Sequence, residues 1–152
     1  MSTLDLFCLT LTLTLTLFSY IYFLVSLNFS ANNLTFIKMF DFQKLDVYQK
    51  SKVFNKAIIR LLVGKRFDRV VNDQLRRASL SIMLNIAESS SRFSNKDRKN
   101  LLVISRGSAF ECAAIMEFLY ETNELEQKEY EEFTSSLEEI SRMIFALIRK
   151  LE

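Results

Sequence analysis

Apolar residues recur with a helical period along most of the chain, and this spacing predicts four amphipathic helices. The first is predicted over about residues 42–63 and the second over about residues 69–88. The third is expected to begin at Ser94, because Ser94 and Asp97 have the spacing of a capping box. The fourth has the most regular pattern, with apolar residues at alternating steps of three and four: Tyr130, Phe133, Leu137, Ile140, Ile144, Leu147 and Leu151.

The third helix is predicted to bury one seam of apolar and small residues: Leu101, Ile104, Ser108, Cys112, Ile115 and Leu119. Gly107 lies in the middle of this helix, where glycine costs about 1 kcal/mol relative to alanine. We therefore expect Gly107 to permit close approach by a neighbouring helix, and Gly64 to cap the first helix. Because short connections make sequential helices antiparallel, the predicted fold is all-α, an antiparallel up-down-up-down four-helix bundle.

A polar stripe runs beside the apolar stripe of the second helix. Its members are three or four residues apart and share one helix face: Gln74, Arg77, Ser81, Asn85 and Glu88. Short polar side chains next to a core stripe indicate a hydrogen-bonded seam between helices or subunits, which fixes register more than it adds stability. Arg106, Ser108 and Glu111 of the third helix are assigned to the same seam, with an ion pair expected among Glu88, Arg106 and Glu111. The alternative is an ordinary amphipathic helix with a wide polar face.

Residues 1–38 differ in composition from the rest of the chain. Residues 6–27 carry no charge, and residues 9–17 alternate between Leu and Thr. Three interpretations stand: a membrane anchor, since the length meets the requirement of about 20 apolar residues; an isolated strand, favoured by the period of two; or an upstream extension outside the functional protein. The third is favoured, because such repetitive alternation is what a short repeated nucleotide unit encodes. The bundle is therefore predicted over residues 39–152.

Composition argues against catalysis. The 152 residues include no histidine, which is the commonest general base and metal ligand. Carboxylate pairs that bind two metals in helical bundles need a Glu-x-x-His motif, which the chain lacks. The two cysteines, Cys8 and Cys112, have no CxxC partner, so a reduced, cytoplasmic location is expected. We therefore predict no catalytic residue, metal or cofactor, and no enzyme.

Charge is distributed unevenly between the two ends of the predicted bundle, although the net charge is only +2. Glutamates dominate the end that holds the first and third loops. The end that holds the second loop carries the candidate nucleic-acid-binding residues: Arg92, Lys96, Arg98, Lys99, Arg149 and Lys150. Phe93 is available there to stack on a base. The alternative is a solvated basic surface.

Several short motifs occur in an order that resembles one protein family. They are Phe42-x-x-Leu45-x-Val47-Tyr48-Gln49, Gln74-Leu-Arg-Arg-Ala78, Ser81-Ile82, Asn85-Ile-Ala-Glu88 and Arg106-Gly-Ser108-Ala-x-Glu111. The set resembles the bacterial four-helix-bundle proteins encoded in intervening sequences of 23S rRNA genes, over about residues 39–151. The resemblance implies a homopentameric ring with no established catalytic activity. A related member, the accessory variability protein of diversity-generating retroelements, binds nucleic acid and reverse transcriptase through a basic surface.

The leading hypothesis is therefore a non-enzymatic, homo-oligomeric bundle that acts as a nucleic-acid-associated accessory protein. RNA or DNA, other copies of the chain and a partner protein are the expected partners, and a membrane is not. Two alternatives remain: a protein-interaction scaffold without affinity for nucleic acid, and a bundle anchored to a membrane through residues 6–27.

Overall fold

Four helices make up nearly all of the chain that the structure, a computed structural model, describes, which is residues 40–152. They are α1 (Asp46–Gly64), α2 (Arg69–Ser89), α3 (Asn95–Glu121) and α4 (Gln127–Arg149), and they pack against one another in antiparallel order. No strand forms in this range. The predicted all-α four-helix bundle is confirmed. The Leu/Thr-rich segment and its three interpretations lie outside the described residues.

Every helix contributes apolar side chains to a single core. The largest apolar residues with an exposed fraction of 1% or less are Ile58, Leu75, Ile82, Ile86, Met116, Leu119, Ile140 and Ile144. Burying a side chain of this size stabilises the fold by about 1.5–3 kcal/mol. The core therefore holds the four helices in one register and fixes which polar residues face outward.

The ends of the helices follow local backbone chemistry. The predicted start of the first helix at residue 42 is wrong, because Asp41–Lys44 is a separate 3-10 turn and Leu45 is extended. Gly64 is the last residue of α1 and has no positive φ, so its predicted role as a cap is also wrong. The cap at Ser94 is confirmed: its Oγ accepts a 3.1 Å hydrogen bond from the backbone N–H of Asp97.

The buried seam of α3 differs from the predicted one. Its members are Leu102, Ser105, Ser108, Ala109, Cys112, Met116 and Leu119. Ile104, predicted to be buried, is 53% exposed, while Leu101 and Ile115 are only partly covered. Gly107 faces outward, and a Cβ added there would meet no atom of residues 40–152 within 4 Å beyond its own turn of helix. The expected close approach at Gly107 is therefore wrong within this bundle.

The heptad pattern of α4 holds for its central turns. Leu137, Ile140 and Ile144 are buried as predicted. Further along, Ile148 is buried in place of Leu147, which is only partly covered. A straight helix has 3.6 residues per turn, so the buried face drifts away from a strict seven-residue repeat.

Helices α1 and α4 contact each other less closely than the other adjacent pairs do. A groove of about 470 Å³ lies between them, with Phe54 and Phe133 among its lining residues. These two rings pack edge to face with 6.0 Å between centroids. Lys50 bridges the groove to Glu139 at 2.8 Å, and Lys65 pairs with Glu129 further along. Part of the α1–α4 seam is therefore closed by ion pairs.

Substituting Glu129 by Gln is expected to flatten the acid dependence of stability. A hydrogen bond from Lys65 holds the pKa of Glu129 below its usual value. The stabilisation is therefore present above the unfolded-state pKa near 4.3 and is lost as pH falls through the lower folded-state pKa. Because both side chains are about one-third exposed, the loss at pH 7 should stay below about 1 kcal/mol. Urea unfolding of the native protein and the variant at pH 7 and pH 3 measures this loss. If both proteins lose the same stability between pH 7 and pH 3, the assignment is contradicted.

Candidate functional site

Short polar side chains join α2 to α3 along the predicted seam. The hydroxyls of Ser81 and Ser108 are 2.8 Å apart, and Asn85 donates from Nδ2 to the Ser81 carbonyl at 2.8 Å and to its Oγ at 3.0 Å. A second bond, absent from the sequence prediction, runs from Ser105 Oγ to the carbonyl of Ile82 at 2.8 Å. The structure thus brings Ser81, Asn85 and Ser108 together between two helices of the same chain.

The other residues assigned to this seam do not form the expected ion pair. Gln74, Arg77, Glu88 and Glu111 line an open groove of about 520 Å³ between α2 and α3. Glu88 pairs with Arg92, one turn along the same helix. The predicted grouping of Glu88, Arg106 and Glu111 is therefore wrong.

Arg106 lies on the opposite flank of α3, against α4. Its Nε donates to Ser141 Oγ at 3.3 Å, and its guanidinium carbon is 5.1 Å from the ring centroids of both Phe110 and Phe145. A guanidinium between two aromatic rings gains cation–π stabilisation on both sides. Sequence reasoning missed this contact because Phe145 belongs to another helix, far away along the chain.

The candidate nucleic-acid interface is formed where α2 ends, α3 begins and α4 ends. Part of its charge is neutralised internally: Arg92 pairs with Glu88, and Lys99 and Arg149 both reach Glu152, at 2.9 and 3.3 Å. The hydrogen bond from Lys99 lowers the pKa of Glu152. Lys96, Arg98 and Lys150 have no ion-pair partner among the described residues. Lys96 and Lys150 are exposed, whereas Arg98 is half-buried and its Nε is covered. These three cations are the unpaired part of the predicted cluster.

Phe93 stands at the tip of the same end. It is fully exposed, and it lies between Arg92 and the N-cap Ser94 of α3. The N-terminus of a helix carries unsatisfied N–H groups and a partial positive charge, so it adds to the attraction of the nearby cations for anions. The arrangement combines an aromatic face with positive charge.

A second basic surface lies on the side of the bundle. The sequence prediction missed it because it compared charges only between the two ends. Lys52, Lys56 and Arg60 follow each other at intervals of four residues along α1. Arg76 of α2 lies one turn before Ser79, which is hydrogen-bonded to Asn55 of α1, and so faces the same side. None of these four cations pairs with an acidic group in residues 40–152. The helical period of α1 could have revealed this side surface.

The described residues give little support for a catalytic or metal-binding role. Burial, followed by the neighbouring charge of Glu111, raises the pKa of the Cys112 thiol to about 12, so the sulfur stays protonated and unreactive at neutral pH. Residues 40–152 contain no group of three or more acidic, cysteine or histidine side chains placed to hold a metal ion. Among the helices of this range, none combines the length and the hydropathy that a membrane span requires.

The protein is thus an antiparallel four-helix bundle, and a serine-rich seam joins its second and third helices. The sequence profile described as 23S rRNA-intervening sequence protein matches residues 43–146, and the chain belongs to that family.

Among solved structures, the chain is similar to a protein of unknown function from the S23 ribosomal protein family of Bacteroides thetaiotaomicron VPI-5482. The two are 28% identical with a TM-score of 0.64, and the match covers 67% of this chain and 97% of the other. No curated protein matches the chain.

Proposed function

We propose that this protein is a homo-oligomeric, nucleic-acid-associated accessory protein that binds single-stranded RNA or DNA at the end of the bundle around Phe93. The homopentamer that the family resemblance implies is the proposed assembly. The observation that carries the binding proposal is the full exposure of Phe93 beside a basic cluster.

Exposure of a phenylalanine ring is unfavourable in water, since burying such a side chain is worth about 1.5–3 kcal/mol. A ring at a loop tip can recover this energy by stacking on an unpaired base, which is worth about 1–3 kcal/mol per base. Lys96, Arg98 and Lys150 then contact the phosphates on either side. Single strands are favoured over duplex, because an aromatic ring stacks on bases that are not already stacked in a helix.

Substituting Lys96, Arg98 and Lys150 by Ala is expected to weaken binding of a fluorescent mixed-sequence RNA to the full-length protein. Removing one phosphate interaction should reduce the slope of log K against log salt concentration by about 0.7. Anisotropy titrations at several salt concentrations measure both quantities. Substituting Phe93 by Ala should weaken binding by about 1–3 kcal/mol per stacked base while leaving that slope unchanged, because no charge is removed.

The side surface supplies a matched control. Substituting Lys52, Lys56 and Arg60 by Ala removes the same number of positive charges, three, and leaves the Phe93 end intact. This variant should keep the native salt slope. A larger loss of binding in this variant than in the first would move the site to the α1–α2 side. RNA that fails to bind the native chain at low salt would refute the function and favour a protein-interaction scaffold.

A further inference from the structure

Helix α3 carries exposed apolar side chains on both of its flanks. On the flank that adjoins α2, Ile104 and Phe118 are each about half exposed. On the flank that adjoins α4, Val103 and Phe110 are also about half exposed. A helix whose apolar residues extend beyond the stripe buried in its own bundle is characteristic of a helix that is covered from outside as well. Both flanks are therefore candidates for contact with another molecule.

Each flank continues onto the neighbouring helix and so belongs to a face of the bundle. On the α2 side, Leu84 is about half exposed, and it lines the open groove together with Arg77. On the α4 side, Phe145 is nearly half exposed, and Glu138 lines a pocket of about 350 Å³ together with Phe110. The α2–α3 face consists of Arg77, Leu84, Ile104 and Phe118. The α3–α4 face consists of Val103, Phe110, Glu138 and Phe145.

The α2–α3 face and the α3–α4 face meet at α3. Within residues 40–152 each helix contacts its two neighbours in the bundle, and neither diagonal pair is in contact. The helices therefore stand at the corners of a square, and two faces that share a helix are inclined at roughly 90°. Contact between opposite faces would add copies in an open row, whereas contact between inclined faces turns each copy and closes a ring. A ring of five needs a turn of about 72° per copy, which inclined faces approach and opposite faces do not.

Two hydrogen bonds relate the heights of the helices along the bundle: Ser81 to Ser108 between α2 and α3, and Arg106 to Ser141 between α3 and α4. With a rise of about 1.5 Å per residue, Arg77 of α2 and Glu138 of α4 differ in height by about 4.5 Å, which is less than one turn. Leu84 and Phe145 differ by the same amount. A ring whose axis runs along α3 keeps these heights from one copy to the next.

Arg77 and Glu138 are complementary in charge as well as in height. Both are exposed, and neither pairs with an opposite charge among residues 40–152. When the α2–α3 face of one copy meets the α3–α4 face of the next, α2 lies beside α4 and runs in the same direction. Arg77 then comes opposite Glu138 of the next copy, and Leu84 comes opposite its Phe145. Opposite charges and apolar surfaces are matched in one arrangement.

Gly107 and Ala114 lie on the edge of α3 where the two faces meet, and both are exposed. Glycine in a helix interior is about 1 kcal/mol less favourable than alanine. A Cβ at Gly107 would meet no atom of residues 40–152 beyond its own turn of helix, so the packing of the bundle does not require the glycine. In a ring this edge points towards the axis, where the copies of α3 converge and small side chains leave room for them.

We infer that the ring closes head to tail, with the α2–α3 face of each copy packed against the α3–α4 face of the next and with α3 facing the ring axis. The inference rests on the proposed homopentamer and names the two surfaces that build it. All copies in such a ring point in the same direction. The second loops therefore gather at one end, and the proposed nucleic-acid sites form one rim.

Light scattering coupled to size exclusion of the full-length protein tests the α2–α3 face. The native chain is expected to have the mass of five copies. Leu84→Arg should reduce the mass to that of one chain, because a long charged side chain replaces the apolar contact with Phe145 of the next copy. Val53→Arg is the matched control and should keep the native mass, since Val53 is 66% exposed on α1, the helix diagonal to α3. Circular dichroism verifies that both variants are folded.

Charge exchange tests whether the two faces meet. Arg77→Glu should weaken association roughly tenfold, because it places two carboxylates opposite each other, and Glu138→Arg should do the same with two cations. The double variant restores the attraction and should regain the native mass. Because α2 and α4 do not contact each other within one bundle, this rescue requires a contact between copies.

Three results would overturn the ring contact: a monomeric native chain, a native mass of two copies, or Leu84→Arg with the native mass. A double charge variant that stays dissociated would overturn the pairing of these two faces. Anisotropy titration with the fluorescent RNA separates the contact from the proposed function. A pentamer that does not bind RNA would refute the nucleic-acid site and leave the ring contact standing, whereas a native monomer that binds RNA would do the reverse.

Discussion

Replacing Ile82 by Ala is expected to lower the free energy of unfolding of the bundle by about 2–5 kcal/mol. Ile82 has no exposed surface and lies in the middle of α2, where the core is enclosed by all four helices. Its removal forfeits the transfer energy of three carbon atoms and leaves a cavity, because the hydrogen bond from Ser105 to the Ile82 carbonyl holds α2 and α3 at a fixed distance. The site is therefore unable to collapse freely.

Urea unfolding followed by circular dichroism measures this loss, with an unchanged m value as the sign that only stability has changed. Val63 to Ala is the control, because Val63 is 81% exposed near the end of α1 and should change stability by less than about 0.5 kcal/mol. A similar loss in both variants would show that burial at Ile82 is not the cause.

Replacing Ser79 by Ala is expected to cost about 1–3 kcal/mol, although it removes only one oxygen atom. Asn55 and Ser79 are both buried, and Asn55 donates from Nδ2 to Ser79 Oγ at 3.0 Å. The serine hydroxyl in turn donates to the Arg76 carbonyl at 3.2 Å. Alanine at residue 79 leaves the buried amide of Asn55 without this acceptor, and the desolvation of that amide is then uncompensated.

A double variant separates the hydrogen bond from the packing. Asn55 to Leu combined with Ser79 to Ala removes both polar partners, and its stability should lie closer to that of the native protein than the Ser79 variant does. Thermal unfolding of the native protein and the three variants completes the cycle. If the stability lost by the double variant equals the sum of the losses in the two single variants, the hydrogen bond contributes nothing to joining α1 and α2.

The bundle itself could be predicted because its helices are amphipathic and its connections are short. In α4 only one face is apolar, so the period identified Leu137, Ile140 and Ile144 as buried without ambiguity. The cap at Ser94 was predictable for a similar reason: it depends on two residues three positions apart, and no tertiary contact competes with it.

The seam of α3 could not be predicted from periodicity, because this helix is apolar on two faces. Hydropathy favoured Ile104 over Ser105, yet Ser105 is buried and Ile104 is largely exposed. A serine enters the core when its hydroxyl can donate to a backbone carbonyl of the neighbouring helix, as Ser105 does to Ile82. Such a partner is determined by the packing of α2 on α3, which the sequence does not display.

The candidate site was predictable in outline and incomplete in detail. The basic residues of the second loop do gather at one end, since they flank a single connection. Glu152, far away along the chain but at the same end of the bundle, neutralises part of that charge through Lys99, and this specific pairing depends on how α3 packs against α4. The position of Arg106 was missed for the same reason, because its partners Phe145 and Ser141 belong to α4.

The groove between α1 and α4 also bears on the order in which the chain folds. Hydrogen bonds between neighbouring helices in sequence, such as Ser81–Ser108 and Asn55–Ser79, join residues 27 and 24 positions apart, whereas Lys50–Glu139 joins residues 89 positions apart. Closing the longer loop costs about 1 kcal/mol more in chain entropy. We therefore expect the helical hairpins to form before the α1–α4 edge closes, and we expect this edge to open most readily in hydrogen exchange.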